Sequence, residues 1–237
     1  MRFECVSRTH VGLKREINED SLLADTEGGL WVVADGMGGH EAGEVASAMV
    51  IDALRNLPHG SDLDTFVGNA VNVLHEVNGQ LIGLAQSTGS DRTIGTTVVG
   101  VAVEGDEFRC FWAGDSRAYR FRGDALIRLS RDHSLVQDLV DAGMLRPDEA
   151  EGHANSNVIT RAIGVRALVD VEVIGGEALR GDHYIVASDG LTRVVNDQEI
   201  ALELGSGSLD EVADRLLAKV LERGAPDNVS LIITKLL

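Results

Sequence analysis

A chain of 237 residues, 44% of them hydrophobic and 25% charged, has the material for a sizeable core and not the composition of a disordered segment. Its 38 acidic and 21 basic residues leave a formal charge of -17, which disfavours nucleic acid and anionic membranes as partners and suits divalent cations. No apolar run approaches the ~20 residues that span a bilayer, MRFECVSRTH lacks a signal-peptide core, and Cys5 and Cys110 are too few for a disulfide framework. The expectation is one soluble acidic domain over residues 1–237, in the reducing cytoplasm and monomeric by default.

In chain order, apolar β-rich runs fall at 3–9, 21–25 and 29–34. A helix over about 41–57 follows a glycine turn. A second helix opens with Ser61-x-x-Asp64, a capping box with Asp in place of the usual Glu. It puts Leu63, Phe66, Val67, Ala70, Leu74, Val77, Leu81 and Leu84 on one face. Strand signals resume at 94–103, 107–113, 117–121 and 125–129. Residues 130–158 carry Gly143, Pro147 and the polar EGHANSN without strand signals, and read as a helical insertion or flap. Strands follow at 168–174 and 183–187. Ser208-x-x-Glu211 then caps a helix carrying Val212, Ala213, Leu216, Leu217 and Val220, stopped by Gly224 before a last strand at 229–235. Helices are grouped and do not alternate with strands. That predicts an α+β fold of mainly antiparallel sheet, not a Rossmann or barrel plan.

Aspartates recur where these strands end or begin. Asp35 closes WVVADG, Asp189 closes YIVASDG and Asp115 closes FWAGDS, while Asp20 and Asp227 stand just ahead of strands. An Asp-Gly pair alone is an ordinary turn. Five short carboxylates brought to one sheet rim would repel one another, and a cation should sit among them. All are oxygen donors with no Cys/His cluster nearby, so Mg²⁺ or Mn²⁺ fits better than zinc. Gly36 and Gly190 let the backbone approach closely, so that a main-chain carbonyl can join. Two such ions ~4 Å apart would acidify a water and aim it at phosphorus. Arg15 can fork onto two phosphoryl oxygens, or else pair with Glu16 or Glu19 at the surface.

Other catalytic patterns are missing. Neither cysteine begins Cys-x5-Arg, no lysine follows glycine in a phosphate-binding loop, and there is no Gly-x-Ser-x-Gly elbow. Arg109, Arg117, Arg120, Arg122, Arg128 and Arg131 could form a phosphopeptide-steering patch, but charges alternating along strands more commonly make ion pairs. Cys5, Cys110, Trp31 and Trp112 read as packing groups, and Asn18, Asn228 and Thr160 as residues that hold loops.

With these residues assembled, the sequence resembles the metal-dependent Ser/Thr protein phosphatases (PPM, type 2C) in their compact bacterial form. The resemblance rests on RxxNED at 15–20, ADGMGGHEAGE at 34–44, IGTT at 94–97, AGDSRAY at 113–119, RDHS at 131–134, ITRAIG at 159–164, ASDGLT at 187–192 and APDNVSLIIT at 225–234. It implies a four-layer αββα sandwich of two mainly antiparallel sheets flanked by helices. It also implies hydrolysis of phosphoserine and phosphothreonine in proteins modified by a Ser/Thr kinase, without a covalent intermediate. By the same resemblance Asp35 bridges two Mn²⁺ or Mg²⁺ ions, the Gly36 carbonyl joins one of them, and Asp189 and Asp227 complete the set. Asp20 acts through water, Asp115 shares a weaker third ion with Asp189, and Arg15 holds the phosphate. Met37 stands where better-known members carry a histidine acid, which leaves a water or His40 as the proton donor. A silent metal-binding module, or an enzyme acting on a small phosphorylated metabolite, is the alternative.

Overall fold

The computed structural model describes residues 2–38, 42–58, 62–87, 93–150 and 152–237. The strands are β1 (Phe3–His10), β2 (Asp20–Asp25), β3 (Leu30–Met37), β4 (Gly95–Thr96), β5 (Val98–Glu104), β6 (Glu107–Ala113), β7 (Arg117–Arg122), β8 (Ala125–Arg128), β9 (Glu172–Glu177), β10 (His183–Ala187) and β11 (Val229–Leu236). The helices are α1 (Ala42–Arg55), α2 (Leu63–Ser87), α3 (Leu135–Asp141), α4 (Pro147–Ala150), α5 (Asp189–Thr192), α6 (Asp197–Leu204) and α7 (Leu209–Glu222). One sheet runs β1-β11-β10-β7-β8. The other runs β2-β3-β5-β6-β9, with β4 on the end of β3. Every pairing is antiparallel.

Three apolar layers make this a four-layer αββα sandwich. Along β3, Leu30, Val32 and Ala34 pack with α1 and α2, while Trp31 and Val33 point into the space between the sheets. Along β11, Val229, Leu231 and Ile233 pack with α7, while Ile232 joins Tyr184 and Val186 between the sheets. Strands covered on both faces lose the polar alternation of a half-exposed sheet. For that reason WVVA and SLIIT read as continuous apolar runs. Each fully buried Leu, Ile or Val contributes roughly 1.5–3 kcal/mol. Phe3 of one sheet meets Trp31 of the other edge-on at 4.9 Å and 74°, joining the layers at that end.

The Ser208 capping box is formed, since Ser208 Oγ accepts from the Glu211 amide while Glu211 reaches back to the Ser208 amide. The helix ends at Gly224, whose φ is +96°. Several expectations need correction. The run 94–103 is two strands broken at Thr97, whose polar groups turn to the end of β3. The strand expected at 168–174 lies at Glu172–Glu177, because Val169 and Val171 instead pack with the α1/α2 core. Leu84 is exposed, beyond the packed face of α2. Helices α5 and α6 were not anticipated, although Asn196-x-x-Glu199 forms a second capping box. Ser61 lies outside the described residues. The 130–158 segment carries α3 and α4, as its lack of strand signals suggested.

Candidate functional site

Antiparallel pairing gathers the five aspartates. Asp20 opens β2 and Asp35 lies near the end of β3, and the two are direct partners across that pair. Likewise β10 runs out towards Asp189 at the end where β11 begins after Asp227, with Ala187 opposite Leu231. Asp115 lies in the link from β6 to β7, where the chain crosses between sheets. His133 fixes that link: its Nδ1 accepts from the Gly114 amide at 3.1 Å and its Nε2 contacts Glu172 Oε1 at 3.0 Å.

The carboxylates are engaged in different ways. Asp35 is buried with Asp189, Asp20, Asp115 and Asp227 as its charged neighbours. Asp20 accepts from Ser188 Oγ at 2.8 Å, and its Oδ1 is buried without a partner. Asp115 accepts from Arg193 Nη2 at 2.9 Å, and its Oδ1 too is buried without a partner. Asp227 accepts from Arg15 Nη2 at 2.7 Å. Among the described residues no three His, Cys, Asp or Glu side chains stand as a preformed ligand cluster. Asp115, Asp189 and Asp227 instead take arginines as partners, and Asp20 takes Ser188.

The electrostatics show what such an arrangement lacks. Burial pushes the carboxyls of Asp20 and Asp115 up to about 6. Asp35 is held well above the carboxylate range by burial and then by Asp189, Asp20, Asp115 and Asp227 around it. Asp189 is also raised by burial, against the pull of Arg193. Acids whose charged forms burial disfavours, with two orphaned oxygens on Asp20 and Asp115, form a site suited to a hard cation.

Two glycines allow this convergence. A Cβ on Gly36 would lie 2.1 Å from the Gly43 carbonyl oxygen and 2.7 Å from that of Glu19, whose oxygen also accepts the Gly36 amide. A Cβ on Gly190 would lie 1.8 Å from the Asn228 carbonyl oxygen. Asn228 stitches the Arg15 loop down: its Nδ2 donates to the Val11 and Ile17 carbonyls at 2.8 and 2.9 Å, and its Oδ1 accepts the Glu19 amide at 2.8 Å. Thr96 and Thr97 hold the Asp35 backbone, through Thr96 Oγ1 and the Thr97 amide on its carbonyl at 2.9 and 2.8 Å.

The structure thus brings together Arg15, Asp20, Asp35, Gly36, Asp115, Asp189 and Asp227. Arg15 pairs with Asp227 and with neither Glu16 nor Glu19. Met37 is half-buried at the end of β3, and His40 lies outside the described residues. Asn18 and Asn228 hold loops as expected. Of the six arginines, Arg109, Arg117, Arg122, Arg128 and Arg131 are in ion pairs, and Arg120 lies over the Phe108 ring at 5.9 Å. Cys110 is fully buried, its thiol pushed up by burial, and Trp31 and Trp112 are core groups. Sequence reasoning missed Ser188 and Arg193. The signal for Arg193 was its place four residues after Asp189 at a helix start. From Asp115 and Asp189 a groove of about 930 Å³ opens between α5–α6 and the 130–158 segment.

Comparison with known proteins agrees with this architecture. The family model for protein phosphatase 2C matches residues 9–230. The serine/threonine protein phosphatase PstP of Mycobacterium tuberculosis is 36% identical over 230 residues, 96% of this chain, which spans 44% of PstP's own length. PppA of Pseudomonas aeruginosa, a key regulatory component of its T6SS, superposes with a TM-score of 0.93 at 38% identity, covering 100% of this chain and 99% of that one. The catalytic domain of PstP in complex with two manganese ions superposes with a TM-score of 0.87 at 34% identity, covering 98% and 97%. On fold, motif order and similarity over nearly its whole length, this chain belongs to the protein phosphatase 2C family.

Proposed function

We propose that this chain is one catalytic domain hydrolysing phosphoserine and phosphothreonine in proteins, with Mn²⁺ or Mg²⁺ as cofactor and no covalent intermediate. The observation that carries this reading is the meeting of Asp20, Asp35, Asp189 and Asp227 beside Arg15, with Asp189 also lining the groove. Their oxygen-only chemistry, with the buried Asp20 Oδ1 left without a partner, fits two hard cations, held by Asp35, the Gly36 carbonyl, Asp189 and Asp227, with Asp20 acting through water. Such ions supply Lewis acidity, neutralising phosphoryl charge and lowering the pKa of a water.

The rest falls to the polypeptide. Arg15, half-exposed and already aimed at the acid cluster, forks onto two phosphoryl oxygens once Asp227 has other company. Asn228 and Gly36 fix the loop and strand that hold Arg15 and Asp35 in register. Ser188, between β10 and α5, holds Asp20 at the start of β2 and so ties the two sheets at the reacting end. The groove offers phosphoproteins, products of a Ser/Thr kinase, a wall of polar and apolar side chains on which to lie. Two unpaired thiols suit a reducing cytoplasm, and no helix among the described residues is long and apolar enough to cross a membrane. No pairing with a second copy is required for the site, so a monomer suffices.

The test is hydrolysis of p-nitrophenyl phosphate and a phosphothreonine peptide by the purified chain with Mn²⁺, Mg²⁺ or chelator. Turnover should need the metal, and Asp35→Asn should lower it by several orders of magnitude. Turnover indifferent to chelator overturns the reading.

A further inference from the structure

Arg193 is the most heavily connected side chain at the edge of this site. Its Nε lies 2.7 Å from Asp189 Oδ2 and its Nη2 donates to Asp115 Oδ2 at 2.9 Å. The same Nη2 donates to the Ser156 carbonyl at 3.2 Å, and Nη1 donates to Asn157 Oδ1. Two of these partners belong to the acid cluster and two to the C-terminal end of the 130–158 segment. Beside them Asp115, whose side chain is 5% exposed, keeps Oδ1 without any partner. A planar guanidinium is the one side chain able to bridge two carboxylates and two loop acceptors at once.

We propose that Arg193 is a positioning residue: its guanidinium is the resident cation of the Asp115–Asp189 pair and straps residues 156–157 to it, so that Asp115 takes no third divalent ion while the arginine is docked. The inference rests on the two-ion reading above and adds a count and a mechanical link to it. A third ion shared by Asp115 and Asp189, as the family resemblance implies, would have to enter where a positive charge already contacts both acids. Like charges at that separation repel strongly in a half-buried setting. The guanidinium and a third ion are therefore alternatives. The choice between them moves the wall of the groove, because the contacts that neutralise Asp115 also hold Ser156 and Asn157.

Metal-stripped protein, as wild type, Arg193→Ala, Arg193→Lys and the double variant Arg193→Ala/Asp115→Asn, would be titrated with Mn²⁺ by calorimetry. Amide hydrogen exchange would be followed at residues 152–158. Wild type should bind two ions, Arg193→Ala three, and the double variant two again. Exchange at 152–158 should quicken about tenfold or more in Arg193→Ala. Arg193→Lys keeps the charge but cannot span four acceptors, so it should hold the count at two and still exchange faster, and it serves if the alanine variant does not fold. A purely structural role would lower the melting temperature and leave the ion count unchanged. An Asp115-dependent third ion in wild type, or unchanged count and exchange in Arg193→Ala, overturns the proposal. If no variant binds Mn²⁺, the two-ion reading fails, and exchange alone then decides the strap, unchanged exchange counting against it.

Discussion

Replacing Asn228 with alanine should loosen the Arg15 side of the site without touching a carboxylate. The Asn228 side chain is buried and makes three hydrogen bonds to the backbone of residues 11–19, at 2.8, 2.9 and 2.8 Å. At roughly 1 kcal/mol net for each lost bond, the variant should lose about 3 kcal/mol. For a domain of this size each kcal/mol is worth about 2–4 °C, so its midpoint should fall by roughly 6–12 °C. The chemistry should change with the stability, since the released loop carries Arg15. Inhibition by inorganic phosphate should weaken about tenfold below the melting transition. Asn228→Asp keeps an acceptor for the Glu19 amide but loses both donors, and should fall between wild type and alanine in stability. A midpoint within 2 °C of wild type, with phosphate inhibition unchanged, would refute the argument that this one amide fixes the loop.

Four further outcomes follow from the geometry. Asp20 and Asp115 titrate near 6 in the folded chain, above the ordinary value near 4, so the metal-free fold binds more protons than the unfolded chain between those values. Their contribution is complete below about pH 4 and lost as pH rises through 6, on the order of 2–3 kcal/mol per carboxyl. Denaturant unfolding in chelator should show wild type losing ground to Asp20→Asn from pH 4 to 7, and a constant difference would count against it. Gly190→Ala, its Cβ 1.8 Å from the Asn228 oxygen, should cost at least tenfold in Mn²⁺ affinity by titration. Gly68→Ala in open space on α2 should stabilise by roughly 0.5–1 kcal/mol. The Cys110 thiol, fully buried and pushed up by burial, should resist thiol reagents in the native state, and Cys110→Ser should turn over normally per folded molecule.

What the sequence disclosed depended on the range of the interaction behind it. The strands covered on both faces were legible because burial leaves an unbroken apolar run, as in WVVA and SLIIT. Helix α7 was legible from the capping box and stop that lie within its own residues. The acid set was legible as a list because each aspartate lies where a strand signal ends or begins. Its convergence was not, since that depends on β2–β3 and β10–β11 being antiparallel neighbours. Pairing also decides why 168–174 misplaced a strand. Val169 and Val171 have β-forming side chains, but the partner residues of β6 lie opposite Glu172–Glu177. Arg193 stayed hidden because its one local mark, the i,i+4 spacing from Asp189, does not reveal its other partners. Two of its partners lie 78 and 36 residues away, at Asp115 and Asn157.

The charge at the converging strand ends explains why such a site needs metal before it needs a substrate. Fully ionised, Asp20, Asp35, Asp115, Asp189 and Asp227 carry five negative charges, and the arginines paired with them among the described residues, Arg15 and Arg193, return two. Burial first, and the neighbouring carboxylates after it, push Asp20, Asp35, Asp115 and Asp189 upward in the metal-free chain. A phosphoryl dianion approaching this surface meets repulsion that Arg15, half-exposed and already claimed by Asp227, is too weak to reverse. Two divalent cations held by these acids would turn the balance from negative to positive. With the acids so neutralised, Arg15 would be available for the phosphoryl oxygens. Affinity for inorganic phosphate should therefore disappear with chelator as completely as turnover does. An apo chain that bound phosphate as tightly as the Mn²⁺-loaded one would show that Arg15 alone recognises the substrate and that charge balance plays no part.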